Sequence, residues 1–316
     1  MYGKEIAKNN NMKKITVQDI EEVVGFEVSD NVKALINEFD LTYSELTQSE
    51  RDGVILDIIN TLNDDIEYVG KHRLEKWENG WYENLELLKQ NKDASSLVPK
   101  YFNKYKVARW KGDLVKCETE YFDYKLHIIL VDAILHRFVD TDYSNLYEFG
   151  CGPAYHLLRF GKFNPEANLI GLDWATASQN IIKEINDLGI NNKITGYNFD
   201  YFKPDYSIDI APNSAIFTCA SLEQIGENYK EFVDYILAKQ PDLCIHFEPE
   251  AKILDENSLV DKLSILYFNK RKYLKGYLSY LENLQAEGKI EIHTQRLWGG
   301  SYFIEGYPAI IWKIKK

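Results

Sequence analysis

Residues 146–156, LYEFGCGPAYH, combine a strand-like apolar run with a carboxylate and two closely spaced glycines. Gly150 lets the chain turn sharply, and Gly152 lets the backbone approach a ligand because no Cβ stands in the way. Such a turn is typical of nucleotide-binding sites. The dinucleotide fingerprint has a third glycine, which would fall at the position of Tyr155. Glu148 precedes the glycines and would repel a pyrophosphate, so the turn favours a ligand that carries positive charge.

A second carboxylate follows at the distance that a ribose site requires. The run LIGLD, residues 169–173, ends in Asp173, 21 residues beyond Gly152. An acid at the end of a second strand can accept hydrogen bonds from both ribose hydroxyls, and several classes of nucleoside-binding protein use one. The sequence therefore predicts a nucleoside-like ligand held by the turn and by Asp173.

The second half of the chain predicts the elements that position these residues. Helical stretches alternate with short apolar runs at 145–149, 167–172, 193–198, 214–219 and 242–248. This alternation is typical of an α/β fold with a doubly wound, mostly parallel sheet, in which ligands bind beyond the carboxyl ends of the strands. Two further runs around Gly299-Gly300 predict a C-terminal antiparallel hairpin at the sheet edge, with the glycines as its turn.

The first hundred residues have a different pattern. Residues 1–12 are expected to be a loose tail, the apolar pattern from about 17 to 90 is helical, and no strand is predicted there. The segment 91–99 is the best linker candidate. We therefore predict a helical N-terminal lobe over 1–115 that caps the substrate site, and a Rossmann-like domain over 116–316 with a helical insertion at about 251–287.

At Glu148-Phe149-Gly150-Cys151-Gly152-Pro153-Ala154 the sequence resembles the first motif of the class I S-adenosylmethionine-dependent methyltransferases, acid-x-Gly-x-Gly-x-Gly. Ala154 replaces the last glycine of that pattern. The resemblance covers about 119–316 and implies methyl transfer with S-adenosyl-L-methionine as the cofactor. The cofactor-binding residues that follow from the turn and the resemblance are Glu148, Gly150, Gly152, Asp173, Trp174, Asp200 and Ser221.

The resemblance gives the later residues separate roles. Asp173 would hold the ribose, Trp174 would lie against adenine, and Asp200 would lie near the adenine amino group. Ser221, in the run TCASLE (218–223), would line the methionine end. Three of these residues have structural alternatives: Trp174 could pack the flank of the sheet, Asp200 could serve as a turn residue or helix cap, and Ser221 could cap the following helix.

The run CIHFEPE, residues 244–250, holds the candidate catalytic side chains. Because a strand has a period of two, His246, Glu248 and Glu250 would share one face, with the later members at the carboxyl end. Three interpretations are open: a general base or substrate clamp, part of a divalent metal site, or hydrogen-bonded structural residues. We select His246 and Glu248 as catalytic candidates and Glu250 as a substrate contact, and we assign no metal ligand.

Two further segments are candidates for the substrate site. The run WENGWYEN, 77–84, offers Tyr82, and the basic, aromatic run YFNKYKVARWKGD, 101–113, offers Arg109 and Trp110. A guanidinium can clamp a phosphate or carboxylate, which would favour an anionic metabolite such as a phosphorylated or nucleotide-linked sugar. The alternative is a solvated basic strip.

The composition limits the partners and the compartment. The formal net charge of −12 argues against a phosphate backbone as partner, so no nucleic acid is expected. The four cysteines form no CxxC pair, which favours a reducing cytoplasm without a disulfide framework. The sequence has no stretch that approaches the roughly 18 apolar residues of a membrane span, and its N-terminus lacks the apolar region of a signal peptide.

These observations predict a cytoplasmic methyltransferase that acts on oxygen or nitrogen of a small, anionic metabolite. The alternative from another class is a non-catalytic S-adenosylmethionine-binding or scaffold protein with the same fold. A nicotinamide-dependent oxidoreductase is disfavoured by Glu148 and Tyr155, and an RNA methyltransferase by the net charge. The sequence leaves open the methyl acceptor, the assistance of a metal and the oligomeric state.

Overall fold

The computed structural model describes residues 12–140, 142–191 and 193–315, so the predicted tail lies almost entirely outside the described residues. The strands are β1 Lys13–Lys14, β2 Thr42–Glu45, β3 Val107–Trp110, β4 Asp113–Cys117, β5 Asn145–Phe149, β6 Asn168–Asp173, β7 Ile194–Asn198, β8 Ser214–Cys219, β9 Leu243–Phe247, β10 Ile290–Gln295, β11 Gly299–Gly300 and β12 Ala309–Ile314. The α-helices are α1 Val17–Val24, α2 Asp30–Phe39, α3 Gln48–Asn63, α4 Leu74–Asn91, α5 Phe122–Phe138, α6 Tyr155–Phe163, α7 Thr176–Asp187, α8 Lys230–Lys239, α9 Leu259–Arg271 and α10 Tyr277–Ala286.

The larger sheet confirms the predicted fold class. Across the described residues its strand order is β10-β12-β9-β8-β5-β6-β7, and the five strands from β9 to β7 are parallel. β12 is antiparallel to both β9 and β10. Strands β5, β8 and β9 are buried along their whole length, as expected for parallel strands covered by helices on both faces.

Helices cover both faces of this sheet. One apolar cluster joins alternate strand residues such as Leu146 and Phe217 to α5, α6 and α7. The other joins the opposite set, such as Phe149 and Ile216, to α8 and α10. Because successive strand residues point to opposite faces, Glu148 lies on the face of Leu146, towards α6. This places the carboxylate inside the molecule beneath the glycine turn.

The predicted turn of the C-terminal hairpin is wrong. Gly299 and Gly300 form β11, which pairs with Trp110 and Arg109 of β3 in the other sheet. The connection between β10 and β12 is therefore the longer segment 296–308. Glycine is required at 300 for packing rather than for turning, because a Cβ there would lie 2.0 Å from the carbonyl oxygen of Ile304.

The prediction of an N-terminal region without strands is also wrong. A second, antiparallel sheet has the order β1-β2-β4-β3-β11 within the described residues. Strand β2 has four residues and pairs with β4 more than seventy positions later, for example Tyr43 with Cys117. A period of two cannot be recognised in so short a run. The predicted domain boundary at 115 falls inside β4, so the division into two domains at that residue stays a prediction.

The predicted linker 91–99 is part of the packed structure. Residues Ala94–Leu97 form a 3₁₀ helix in which Ser96 and Leu97 are buried. The side-chain amide of Asn84, on α4, donates hydrogen bonds to the backbone carbonyls of Ser96 and Val98, at 2.8 and 3.3 Å. This segment therefore fixes the C-terminal half of α4. In the described part of the chain, no helix combines the length and the hydropathy that a membrane span requires.

Candidate functional site

A cleft that is partly open to solvent lies at the carboxyl ends of β5, β6 and β8. Among the seven predicted cofactor-binding residues, those that line it are Glu148, Gly150, Gly152, Asp173, Trp174 and Ser221. Side chains from outside the sheet also line it, including Trp77 and Trp81 of α4. No lysine or arginine is among the described residues that line this cleft. The described groups that could compensate a positively charged ligand there are therefore the carboxyls of Glu148 and Asp173.

The glycines of the turn are required by their surroundings. Gly150 has φ +68°, and a Cβ there would lie 2.3 Å from the Cβ of Ser221. Gly152 has φ +51°, and a Cβ there would lie 2.8 Å from the ring of Trp81. Ala154, where the motif has its last glycine, has φ +60°. A left-handed alanine costs roughly 1–2 kcal/mol, so the departure from the motif is strained while the turn itself is kept.

Asp173 is tied to the turn by backbone hydrogen bonds. Its Oδ2 accepts from the amide of Gly152 at 2.9 Å, and its Oδ1 accepts from the amide of Ala175 at 2.8 Å. Burial raises the pKa of this carboxyl to about 6. The carboxylate is therefore fixed at the base of the cleft, where the strand end and the glycine turn meet.

Glu148 is buried and has one oxygen without a partner. Its Oε1 lies 2.7 Å from Nδ1 of His156, and its Oε2 makes no hydrogen bond to any described residue. Burial raises the pKa of Glu148 well above its usual value and lowers the pKa of His156 to about 3. His156 could not be selected from the sequence, because an isolated histidine on an amphipathic helix belongs to no motif.

Ser221 contacts the turn rather than capping a helix. Its Oγ donates to the carbonyl of Phe149 at 3.0 Å and lies 3.0 Å from the hydroxyl of Tyr201. It precedes the 3₁₀ helix Leu222–Ile225 but makes no side-chain cap to it. The hydroxyl therefore connects the end of β5 to the cleft wall.

Trp174 and Asp200 lie further along the rim. The Trp174 ring stacks on Phe202, with centroids 6.2 Å apart, and one side of it lines the cleft. Asp200 does not line the cleft; its Oδ1 accepts from the backbone amide of Phe202 at 2.8 Å, as in a turn. A contact of Asp200 with adenine stays a prediction, and the observed hydrogen bond corresponds to its structural alternative.

The predicted catalytic residues are buried beside the cleft and do not line it. Nδ1 of His246 lies 2.9 Å from the hydroxyl of Thr218, and burial lowers the pKa of this histidine to about 3. Glu248 accepts hydrogen bonds from the backbone amides of three successive residues, 221 to 223, at 3.0–3.2 Å. Glu250 accepts from the amides of Lys252 and Leu278. These bonds match the third interpretation, hydrogen-bonded structural residues, and a catalytic or substrate role finds no support in this geometry.

The predicted substrate residues also lie away from the cleft. Arg109 is fully buried; its Nη1 donates to the carbonyl of Val260 at 2.5 Å and lies 3.8 Å from Oε2 of Glu305. Burial lowers the pKa of Arg109 to about 10. Trp110 is buried in β3, and Tyr82 is 53% exposed on the outer side of α4. The interpretation of 101–113 as an anion clamp is therefore corrected: its arginine neutralises an internal carboxylate.

α4 forms the wall that sequence analysis expected from the N-terminal region. Trp77 and Trp81 stack with ring centroids 5.4 Å apart and face the cleft. Glu78, on the same helix, accepts a hydrogen bond from the amide of Ala177 at the start of α7, at 2.9 Å. The i, i+4 spacing of the tryptophans places them on one face of the helix and brings both rings to the cleft.

No protein-family model matches the sequence, and no curated protein matches it. Among solved structures, the methyltransferase domain of bacterial CtHen1-C is similar at 12% identity and a TM-score of 0.44, over 60% of this chain and 98% of that chain. PigF with SAH is similar at 11% identity and a TM-score of 0.47, over 90% of this chain and 73% of that chain. Magnesium protoporphyrin IX methyltransferase (ChlM) from Synechocystis PCC 6803 is similar at 13% identity and a TM-score of 0.44, over 62% of this chain and 86% of that chain. Because these identities and TM-scores are low, the function of this chain can be inferred only from the residues of its own cleft.

Proposed function

We propose that this chain is an S-adenosylmethionine-dependent methyltransferase acting on oxygen or nitrogen of a small molecule. The observation that carries the proposal is the charge of the cleft. Two buried carboxylates, Glu148 and Asp173, line a glycine turn at the carboxyl ends of parallel strands, and no described lysine or arginine lines the same cleft. A ligand with phosphates would be repelled there, whereas a ligand with a sulfonium and an ammonium group would be attracted.

The cleft offers a contact to each part of such a cofactor. Asp173 would accept hydrogen bonds from the ribose hydroxyls, and Trp174 would lie against the adenine. The unpartnered Oε2 of Glu148 would accept from the ammonium group of the methionine part, which would satisfy a buried acceptor. Gly152 has no Cβ and so leaves room for the ring of Trp81, which lies against the turn.

The protein needs to supply little covalent chemistry for this reaction. When bound, the cofactor supplies a methyl group already activated by its attachment to a sulfonium. The chain's own residues have to bind the acceptor in line with that methyl group and exclude water. Water would be excluded by the side chains that close the cleft from outside the sheet, Trp77, Trp81 and Tyr101. The proton of the acceptor would be taken by a group at the cleft rather than by His246 or Glu248, whose hydrogen bonds are structural.

A small acceptor fits the cover over the cleft. α4 is bonded to α7 through Glu78, and Trp81 lies against Gly152. This helix lies over the turn, and such a cover suits a small acceptor better than a duplex or a folded protein. The predicted preference for an anionic acceptor is not part of the proposal, because Arg109 is engaged with Glu305 away from the cleft.

Calorimetric titration of the purified chain with S-adenosylmethionine, S-adenosylhomocysteine and NAD tests the proposal. We expect saturable binding of both adenosyl ligands and none of NAD. Asp173→Asn should weaken this binding at least tenfold, whereas Asp187→Asn, an exposed carboxylate on α7 paired with Lys183, should leave it unchanged. Preference for NAD, or equal binding by both variants, would refute the assignment.

The non-catalytic alternative predicts the same binding but no turnover. It is favoured by one observation, the absence of His246 and Glu248 from the described lining of the cleft. Transfer of a radioactive methyl group to a panel of small hydroxyl- and amine-containing metabolites separates the two functions. Labelled product in the wild type that is lost in Asp173→Asn supports the enzyme, whereas binding without product from any acceptor class supports the alternative.

A further inference from the structure

Three side chains with metal-binding atoms converge beside the cleft from three separate elements. His127 comes from α5, His156 from α6, and Cys219 from the end of β8. Their nearest ligand atoms all lie within 4.8 Å of one another. Nε2 of His127 lies 3.3 Å from Nε2 of His156 and 3.6 Å from Sγ of Cys219. Two imidazole nitrogens and a sulfur therefore surround one point.

These separations match the edges of a tetrahedral zinc site. With Zn–N distances of about 2.0–2.1 Å and Zn–S of about 2.3 Å, tetrahedral angles place two nitrogens about 3.4 Å apart, and a nitrogen and a sulfur about 3.6 Å apart. The two observed distances from Nε2 of His127, 3.3 and 3.6 Å, agree with these edges, and the third edge, between His156 and Cys219, lies within 4.8 Å. Nitrogen and sulfur donors select zinc and similar transition metals over magnesium and calcium, which prefer oxygen.

Glu148 occupies the position of an outer-shell partner. Its Oε1 is 2.7 Å from Nδ1 of His156, so an ionised Glu148 would accept the Nδ1 proton and leave the lone pair of Nε2 free to bind a metal. Metal-bound histidines usually make this hydrogen bond. The charges also balance, because a divalent cation would compensate the Cys219 thiolate and the buried Glu148 carboxylate together.

We propose that His127, His156 and Cys219 form a zinc-type metal site beside the cleft, oriented by Glu148 and with a fourth position towards the cleft. His156 and Cys219 line the cleft, as does Tyr155, whose hydroxyl lies 3.4 Å from Nε2 of His127. Three protein ligands and one open position are the pattern of zinc sites that bind a water or a substrate atom. The three metal ligands lie outside the proposed ribose and adenine contacts, and Glu148 is shared with the proposed contact to the ammonium group of the cofactor.

The rival explanation is a metal-free hydrogen-bonded chain from Tyr155 through the two histidines to Glu148. Cobalt distinguishes the two, because a tetrahedral cobalt(II)–thiolate site has intense visible bands and a near-ultraviolet charge-transfer band. Full-length protein, first treated with a chelator, is titrated with Co²⁺. We expect the bands to saturate at one equivalent and to disappear when Zn²⁺ is added.

The variants identify the ligands and have matched controls. Cys219→Ala should lose the charge-transfer band, and Cys244→Ala, a buried thiol on the neighbouring strand β9, should keep it. His127→Gln should lose saturable binding, and His136→Gln, on the same helix α5, should not. Glu148→Gln should weaken cobalt binding by about 10- to 100-fold.

Two results would overturn the site: no thiolate band in the wild type, or an identical titration in Cys219→Ala and His127→Gln. His127 is partly exposed, so its variant keeps the test valid even if Cys219→Ala does not fold. Failure of cobalt binding together with normal binding of S-adenosylhomocysteine would refute the metal site alone. The reverse result would refute the proposed cofactor and leave the metal site standing.

Discussion

The molecule buries charged side chains in two regions that differ in how those charges are compensated. Behind β3, Arg109 lies 3.8 Å from Glu305, and Arg296 pairs with Asp261 at 2.8 Å. At the cleft, Glu148 has neutral neighbours and one unpartnered oxygen, and no described cation lines the space beside it. A buried charge is costly unless it is paired. The first region therefore has its compensating guanidinium groups built into the fold, although neither oxygen of Glu305 accepts a hydrogen bond, whereas the second would gain a compensating charge from a positively charged ligand or metal.

The largest expected effect comes from breaking the internally paired region. Arg109→Met, measured near pH 8, should lower the free energy of unfolding by about 3–5 kcal/mol, because Glu305 is left as an unpaired buried carboxylate. The double variant Arg109→Met/Glu305→Gln should recover much of this loss. Urea unfolding gives both values. If binding of S-adenosylhomocysteine fell in both variants at full folding, the assignment of Arg109 to a purely internal pair would be wrong.

The same region predicts a pH dependence of stability. Burial raises the folded-state pKa of Glu305 from 4.5 to about 7, so between these values the folded chain holds a proton that the unfolded chain releases. The contribution of protonated Glu305 to the free energy of unfolding is therefore complete below about pH 4.5 and is lost as the pH rises through about 7. The change is on the order of 3 kcal/mol. Unfolding free energies of wild type and Glu305→Gln across this range should diverge by that amount, and parallel curves would contradict the raised pKa.

A third prediction concerns the turn at the cleft. Gly150→Ala and Gly189→Ala both place alanine at φ +68°, but only at Gly150 would the new Cβ meet a neighbour, 2.3 Å from the Cβ of Ser221. Both variants carry the cost of a left-handed residue. Gly150→Ala should lose about 1–3 kcal/mol more stability from overpacking. It should also lose affinity for S-adenosylhomocysteine. Equal unfolding free energies for the two variants would show that the close approach does not constrain residue 150.

The fold and the turn were accessible from the sequence because their signals are local. Strands alternate with helices over 145–248, and an acid precedes two glycines within five residues, so periodicity and spacing are enough. The cluster of His127, His156 and Cys219 was not accessible, since its members are separated by 29 and 63 positions and meet only when three elements pack. Arg109 was misjudged for the same reason: its partner Glu305 lies nearly two hundred residues away.

The smallest expected effect separates two adjacent residues of α4 that the sequence could not tell apart. Trp81 is buried and faces the cleft, whereas Tyr82 is 53% exposed on the opposite side. Tyr82→Ala should change the free energy of unfolding by no more than about 0.5 kcal/mol, because exposed substitutions away from special features have little effect. It should also leave the binding of S-adenosylhomocysteine and, once an acceptor is known, the KM for that acceptor unchanged. Trp81→Ala should lose both stability and ligand affinity. A raised KM in Tyr82→Ala at unchanged stability would mean that the acceptor reaches the outer face of α4. The helix would then be a substrate surface on both sides, rather than a cover with one functional face.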